Sequence, residues 1–349
     1  MKTLIYSILF IFFISENINA KNNIILLNTF SGKYTHFGTQ VNEGLNFFKK
    51  NTTNKIFFDK FNLVNININC KNDNVQKIKN KIKKLKPHII INAICPKYSK
   101  ELSNFYETNK IVNFWIGVAD PLLTINQYNY LFRISPNETN QAHIISKYIN
   151  DHHKDKKIAI FYENNKVVEL ITKRSKKLLM ENNLNLKIYQ SINLNQINDI
   201  KFKNNLIDHQ INLVILNFNQ KYIIDILKKI NSLNEKIIVI GNDSLANPIY
   251  KKTLLKYDNL EIYYTFSDYN FRKKEVNNNF SGYENQDVFQ PFKEYTYILF
   301  QILEDALSEY SDNNKLIENL NQNNFDTIYG NLKFINNEIS INGFKLFKF

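Results

Sequence analysis

The sequence predicts an α/β protein of two lobes, each a mainly parallel sheet flanked by helices. Short apolar runs alternate with segments of helical periodicity, which is the pattern of strands joined by crossover helices. A second series of the same kind begins after a short strand at 130–134 that leads into Ser135 and Pro136. The length also suits two domains of ordinary size.

The first strand, turn and helix carry more information than any other stretch. Ile24 to Leu27 form an unbroken apolar run, which is typical of a strand buried on both faces. Ser31 and Gly32 interrupt the run, and one helix face is then lined by Phe37, Val41, Leu45 and Phe48. In an open α/β sheet, such a turn lies at the carboxyl end of a strand, where ligands bind. The same unit also suits the first strand and helix of any α/β domain.

The remaining elements follow in order, each predicted from its periodicity. In the first series we expect strands at 63–69, 88–91 and 111–115 and helices at 75–85 and 99–108. In the second series we expect strands at 157–162, 186–192, 213–216, 236–241 and 260–265, and helices at 141–149, 166–181 and 221–233. A long helix at 291–308 and a final strand at 343–347 complete the chain.

These elements predict the division of the chain. We expect the first lobe to comprise 21–136 and 267–330, and the second lobe 137–266 and 331–349. The sheet of the first lobe would then be completed by chain that returns after about residue 267, including the long helix. Several crossings would join the lobes, and a ligand would shift an equilibrium between open and closed forms.

Residues 1–20 have the features of a secretory signal peptide. Lys2 supplies the positive charge, residues 4–14 are apolar, and Ala20 ends a plausible cleavage site. The apolar run is short for a membrane span, and no later segment is long and apolar enough to be one. We therefore expect a periplasmic protein with no membrane span after signal removal.

The net charge of +13 raises nucleic acid as a partner. The lysines, however, are spread along helices and interleaved with Asn and Ile, and arginine, the usual base-reading residue, is scarce. Solvated helix faces explain this charge better, and we predict no nucleic-acid partner. A weak attraction to anionic surfaces stays open.

Sequence signatures of enzymes are missing. No Gly-x-Gly-x-x-Gly, Walker loop, His-Glu-x-x-His or Gly-x-Ser-x-Gly occurs. The adjacent His152 and His153 have diverging side chains, which indicates a solvated loop rather than a metal site. Cys70 and Cys95, in an exported protein, favour a disulfide over a metal site. We predict no catalytic activity, no cofactor and no metal.

Several short motifs occur in a characteristic order: Ser31-Gly32 with Gly38, the loop around Cys95, Phe132-Arg133-Ile134-Ser135-Pro136, and Phe325-Asp326-Thr327-Ile328-Tyr329-Gly330. With this order and spacing, nearly the whole mature chain resembles the type I periplasmic substrate-binding proteins of ABC transporters, especially the leucine/isoleucine/valine-binding group. The resemblance implies the two-lobed type I fold. It also implies that Cys70 is the disulfide partner of Cys95.

The resemblance carries ligand contacts over only in part. In the first lobe, the Ser31 turn and the aromatic Phe37 match the family. Pro96 stands where the family commonly has a serine that binds the ligand carboxylate, and Ala119 stands where it has a threonine.

In the second lobe, the polar Asn219 replaces an aromatic residue of the family. Asp243 matches the acidic residue that pairs with the ligand ammonium, although a helix cap or a surface loop is an equally good interpretation of this aspartate. The resemblance therefore implies that the cation-binding half of the site is kept and the carboxylate-binding half is altered.

The function implied is that of a monomeric solute-binding protein. It would capture a small polar ligand, an amino acid, amide or amine, in the cleft between the lobes and deliver it to an ABC transporter permease. The alternative is an interaction protein of the same fold that activates a penicillin-binding protein in cell-wall synthesis.

Overall fold

A computed structural model describes the following residues: 22–32, 34–52, 56–93, 95–118, 120–125, 128–164, 166–193, 199–218, 220–246, 250–267, 291–309, 312–340 and 344–349. The predicted signal peptide lies outside them. Among the described residues, no helix combines the length and the apolar character needed to cross a membrane.

The strands, in chain order, are β1 Asn22–Asn28, β2 Phe61–Asn67, β3 Pro87–Asn92, β4 Val112–Trp115, β5 Leu131–Arg133, β6 Ile158–Glu163, β7 Leu186–Ile192, β8 Leu213–Asn217, β9 Ile237–Gly241, β10 Leu260–Ser267, β11 Phe325–Thr327, β12 Gly330–Leu332, β13 Phe334–Ile335, β14 Glu338–Ile339 and β15 Phe344–Lys348.

The helices are α1 Thr35–Asn51, α2 Ile56–Lys60, α3 Val75–Leu85, α4 Pro96–Thr108, α5 Leu122–Ile125, α6 Thr139–His152, α7 Lys166–Glu181, α8 Asp199–Asp208, α9 Gln220–Asn231, α10 Lys251–Leu254, α11 Pro291–Glu309 and α12 Asn313–Gln322. A 3-10 turn, Asp243–Ala246, follows β9. Five of these helices, α2, α5, α8, α10 and α12, are absent from the sequence prediction. Helices α2, α5 and α10 have only four or five residues, and α8 and α12 place few apolar residues among many Asn and Lys.

The strands form two large sheets, as predicted. A seven-stranded sheet has the order β13-β14-β5-β4-β3-β1-β2, and a six-stranded sheet has the order β15-β10-β9-β8-β6-β7. The pairs are parallel except β13 with β14 and β10 with β15. Strands β11 and β12 form a separate hairpin. The two-lobed α/β class is therefore confirmed.

The chain passes between the sheets three times: between β5 and α6, between β10 and α11, and between β14 and β15. Helix α11 belongs to the first lobe, because its apolar face shares one core with β1 and α1. Helix α11, which follows residue 267 in the chain, therefore packs with the elements of the first sheet.

The tail corrects the predicted boundary at residue 331. Strands β13 and β14 lie in the seven-stranded sheet, where Glu338 pairs with Arg133, and only β15 lies in the six-stranded sheet. These are two-residue strands joined by Asn336 and Asn337, both with positive φ. Elements this short have no periodicity that could assign them to a sheet.

Helix α1 packs closely on α11 at Gly44. A Cβ atom added there would lie 2.2 Å from the Lys293 carbonyl oxygen, which is backbone and has little freedom to move away. Gly44→Ala should therefore destabilise the protein by about 1–3 kcal/mol, although alanine is the better helix former. Urea unfolding measures the change. Asn46→Ala, an exposed position of the same helix, is the control and should be neutral or slightly stabilising.

Candidate functional site

The predicted site residues of the first lobe follow β1, β3 and β4, which are neighbours in the sheet. The turn after β1 is held by side-chain hydrogen bonds. The Asn28 amide donates to the Gly38 carbonyl (3.0 Å), and the Phe30 N–H donates to the Asn67 side-chain oxygen (2.9 Å). A Cβ atom at Gly38 would lie 1.9 Å from the Thr29 carbonyl oxygen. The turn is thus clamped against the start of α1.

Two predicted site residues, Ser31 and Phe37, lie in this turn and on the first turn of α1, and both are half-buried. The Phe37 ring lies 3.7 Å from the His36 ring and 4.7 Å from the Phe292 ring, measured between centroids. Phe30 is 40% exposed. Aromatic surface is therefore available at the carboxyl end of β1.

The disulfide between Cys70 and Cys95 is present, with the two Cα atoms 5.5 Å apart. It ties the chain after β2 to the residue that precedes α4. Pro96 is the first residue of α4, a position that proline suits because it needs no N–H donor. The Pro96 side chain, Ala119 and Asn219 lie outside what the structure describes, so their predicted roles stay predictions.

The second lobe places Asp243 directly after β9, at the carboxyl edge of its sheet. The Gln141 side-chain oxygen accepts hydrogen bonds from the Asp243 N–H (3.1 Å) and from the Thr265 hydroxyl (2.6 Å). Burial raises the pKa of the Asp243 carboxyl to about 6, against the opposing effects of the Gln141 side chain and the backbone N–H of Ser244. The Ser244 contact is that of a cap at the start of the 3-10 turn, and ligand contact by Asp243 stays a prediction.

Glu138 is an acidic residue that sequence reasoning missed. It immediately precedes α6, where the chain first enters the second lobe. Burial raises the pKa of its carboxyl to about 8, with further contributions from the negative charges of Asp243 and Asp120 and an opposing effect of Arg133. Asp120 follows β4 and Asp243 follows β9, so Glu138 is influenced by one acidic residue at the carboxyl edge of each sheet. An acidic residue before a helix resembles an ordinary N-terminal cap, so its sequence context carried no functional signal.

The positive charge nearest Glu138 is already engaged. Arg133, fully buried, donates to the Asp120 carbonyl (2.6 Å), to the Thr124 hydroxyl (2.8 Å) and to the Glu338 carboxylate. The same Glu338 oxygen accepts from Thr124 and from the Asn137 amide (3.0 Å). We call these four side chains (Thr124, Arg133, Asn137 and Glu338) the hinge clasp, because Arg133 and Glu338 lie in the strands from which the chain passes to the other sheet and Asn137 lies on one of those connections.

In the part of the chain that the structure describes, no group of three or more His, Cys, Asp or Glu side chains is arranged to hold a metal ion.

Comparison with known proteins decides the family. The family model described as "Receptor family ligand binding region" matches residues 49–337. The chain belongs to this family, the type I periplasmic binding proteins. No curated protein is similar to the chain in sequence alone.

Solved type I periplasmic binding proteins share the fold at low sequence identity. A substrate-binding protein of an ABC transporter from Desulfitobacterium hafniense, in complex with Leu, superposes with a TM-score of 0.73 at 12% identity, covering 94% of this chain and 97% of its own. A leucine-binding protein from Thermotoga maritima superposes with a TM-score of 0.67 at 15% identity, covering 90% of this chain and 92% of its own. A solute-binding protein of an ABC transporter from R. palustris, in complex with benzoate, superposes with a TM-score of 0.69 at 14% identity, covering 94% of this chain and 92% of its own.

The raised pKa of Glu138 predicts how stability depends on pH in this binding protein. The folded state holds the Glu138 proton up to about pH 8, whereas the ordinary pKa of this group is 4.5. Unfolding therefore releases a proton between these values, and stability falls as pH rises through this window. One pKa unit corresponds to about 1.4 kcal/mol. Allowing for partial solvent access, Glu138→Gln should stabilise the free protein at pH 8 by about 1–3 kcal/mol.

Urea unfolding at several pH values between about 5 and 8 measures this effect, because this window lies between the pKa values of Glu138 in the unfolded and folded states. Glu181→Gln removes a carboxylate from an exposed ion pair with Lys177 and is the control. An unchanged slope of stability against pH in Glu138→Gln would contradict the prediction.

Proposed function

We propose that this protein is a periplasmic solute-binding protein that captures a small polar ligand between its lobes for uptake by an ABC transporter. The observation that carries the proposal is the position of Asp243 at the carboxyl edge of the second sheet, where its N–H donates to the Gln141 side chain and its negative charge acts on Glu138. Ligands of open α/β sheets bind at this edge. The predicted signal peptide and the solute-binding relatives support the same role.

Binding would use the hinged architecture. Chain crossings between the lobes allow rigid-body closure, and a ligand that contacts both lobes stabilises the closed form. An ammonium or amine of the ligand would meet Asp243 in a site with little water, where charge-assisted hydrogen bonds are strong. No bond is broken in this mechanism.

The ligand class we propose is an amino acid, amide or amine. The relatives described above were crystallised with Leu and with benzoate, so the fold accepts chemically different solutes. Pro96 and Ala119 lack the hydroxyl groups that a ligand carboxylate would use. The alternative role in cell-wall synthesis finds no support in those relatives.

The first experiment is mass spectrometry of small molecules released from the purified protein, followed by thermal-shift measurements with amino acids, amides and amines. A ligand at about 100 times its dissociation constant adds about 2.7 kcal/mol to stability, a shift of a few degrees. If nothing is released and no member of the panel shifts the melting temperature, the proposal fails.

Asp243→Asn should weaken binding of the identified ligand at least about tenfold, since losing a charged partner in a desolvated site costs more than about 1.4 kcal/mol. Isothermal titration calorimetry measures the affinity. Asp151→Asn, on the exposed surface beside Lys147, is the matched control and should bind normally. Equal affinity of Asp243→Asn would refute the site assignment.

A further inference from the structure

The acidic pair, which we define as Glu138 and Asp243, is unusual in its surroundings. The two carboxyl groups come from different elements, the start of α6 and the turn after β9, and both residues are half-buried. The negative charges of Asp243 and Asp120 both act on Glu138 and raise the pKa of its carboxyl. Arg133 is the one cation found to offset the charge of Glu138 among the described residues, and its guanidinium is engaged by Glu338.

Two polar atoms beside the acidic pair have unused hydrogen-bonding capacity. Glu138 Oε2 and Gln141 Nε2 are both buried and lack a well-aligned hydrogen-bond partner among the described residues. Gln141 is fully buried. Its other amide atom, Oε1, is held by the Asp243 N–H and the Thr265 hydroxyl, which fixes the amide next to Asp243. A buried polar atom without a partner costs about 1–3 kcal/mol.

Glu138 and Gln141 occupy positions i and i+3 at the start of α6, a spacing that places two side chains on the same face of a helix. Glu138 Oε2 is a hydrogen-bond acceptor with the negative charge of Asp243 nearby, and Gln141 Nε2 is a neutral donor. A ligand that satisfies both must carry a positive N–H group beside a hydrogen-bond acceptor. An amino-acid amide has this arrangement, because its ammonium is adjacent to a carbonyl oxygen and its net charge is positive.

A free amino acid fits less well. Its ammonium would displace the Glu138 proton and suit the acidic pair equally, but its carboxylate would then add a further negative charge near Glu138, Asp243 and Asp120. Like charges in a poorly solvated site repel strongly. Removing that one charge, with the rest of the molecule unchanged, should therefore strengthen binding.

We propose that Glu138 is a ligand-binding residue and that the solute is a net cation, with its ammonium between Glu138 and Asp243 and a neighbouring carbonyl or hydroxyl oxygen facing Gln141. The inference rests on the proposed function and narrows its ligand class from amino acids, amides and amines to amide-like cations.

The test compares matched pairs of ligands that differ only at the carboxyl group: leucine with leucinamide, valine with valinamide, and arginine with argininamide. Isothermal titration calorimetry near neutral pH gives the affinities for the wild type, Glu138→Gln, Glu138→Asp and the surface control Glu181→Gln. We expect the amide of at least one pair to bind the wild type at least about tenfold more tightly than its acid, which is about 1.4 kcal/mol.

The variants separate a direct contact from a general structural role. Glu138→Gln removes one negative charge beside the ligand ammonium, so it should weaken the affinity for the amide at least about tenfold. The affinity for the acid should stay within about threefold of the wild-type value. The variant should therefore no longer discriminate between the amide and the acid. Glu138→Asp should recover part of the discrimination, and Glu181→Gln should match the wild type. Thermal unfolding in the absence of ligand verifies that each variant is folded.

The outcomes divide cleanly. If an acid binds as tightly as its amide, or if Glu138→Gln leaves amide binding unchanged, the inference is wrong, while binding that still depends on Asp243 preserves the proposed function. If no member of the panel binds and no small molecule is released from the purified protein, both fail.

Discussion

Replacing Glu338 by alanine should destabilise the protein by about 3–5 kcal/mol, because it leaves a buried charge without its partner. Arg133 is 0% exposed and its guanidinium contacts the Glu338 carboxylate. The same carboxylate oxygen accepts hydrogen bonds from Thr124 and Asn137. The substitution therefore removes the centre of the hinge clasp, and urea unfolding should show a lower midpoint with a similar slope.

Two controls make the result specific. Asp151→Ala breaks an exposed ion pair with Lys147 and should cost less than about 1 kcal/mol. The double substitution Arg133→Met with Glu338→Leu removes both charges and should be less destabilising than Glu338→Ala alone, because no unpaired charge stays buried. A cost below about 1 kcal/mol for Glu338→Ala would contradict the assigned role of the clasp.

Removing the disulfide should cost about 3 kcal/mol. Cys70 and Cys95 are 25 residues apart in sequence, and a bridge closing a loop of this length restricts the unfolded chain by about that amount. Both residues are buried, with 6% and 2% of their surface exposed. Cys70→Ala with Cys95→Ala should therefore unfold at a lower urea concentration than the oxidised wild type.

Reduction supplies the matched control for this prediction. A thiol reductant should lower the stability of the wild type toward that of the double variant and leave the double variant unchanged. Free-thiol labelling of the unfolded, unreduced wild type should detect no reactive thiol. Two labelled cysteines would show that the bridge is absent.

Local pattern was sufficient for much of this fold. The apolar run at Ile24–Leu27 corresponds to β1, and the predicted helix face places Val41, Leu45 and Phe48 in the core. The predicted strand at 186–192 and helix at 166–181 have their predicted bounds. Periodicity succeeds at these positions because burial on one face or both faces of a regular element leaves a repeating apolar signal.

Short and polar elements escaped that reasoning. Strands β13 and β14 hold two residues each, and their membership of the first sheet is decided by the pairing of Glu338 with Arg133, residues separated by more than half of the chain. The helix α12 buries only Leu316 and Leu320 of its ten residues. These strands and this helix are too short or too polar to show an apolar periodicity. The predicted boundary at residue 331 therefore required correction.

The candidate site divides in the same way. The sequence by itself determined that Asp243 follows a strand of the second lobe and that Cys70 and Cys95 form a pair, because both depend on local position or on residue chemistry. Only the tertiary structure decided that acidic residues of both sheets act on Glu138 and that Arg133 is neutralised by Glu338. The physical reason is that burial and electrostatic interaction act between residues brought together from distant parts of the chain, which no single stretch of sequence records.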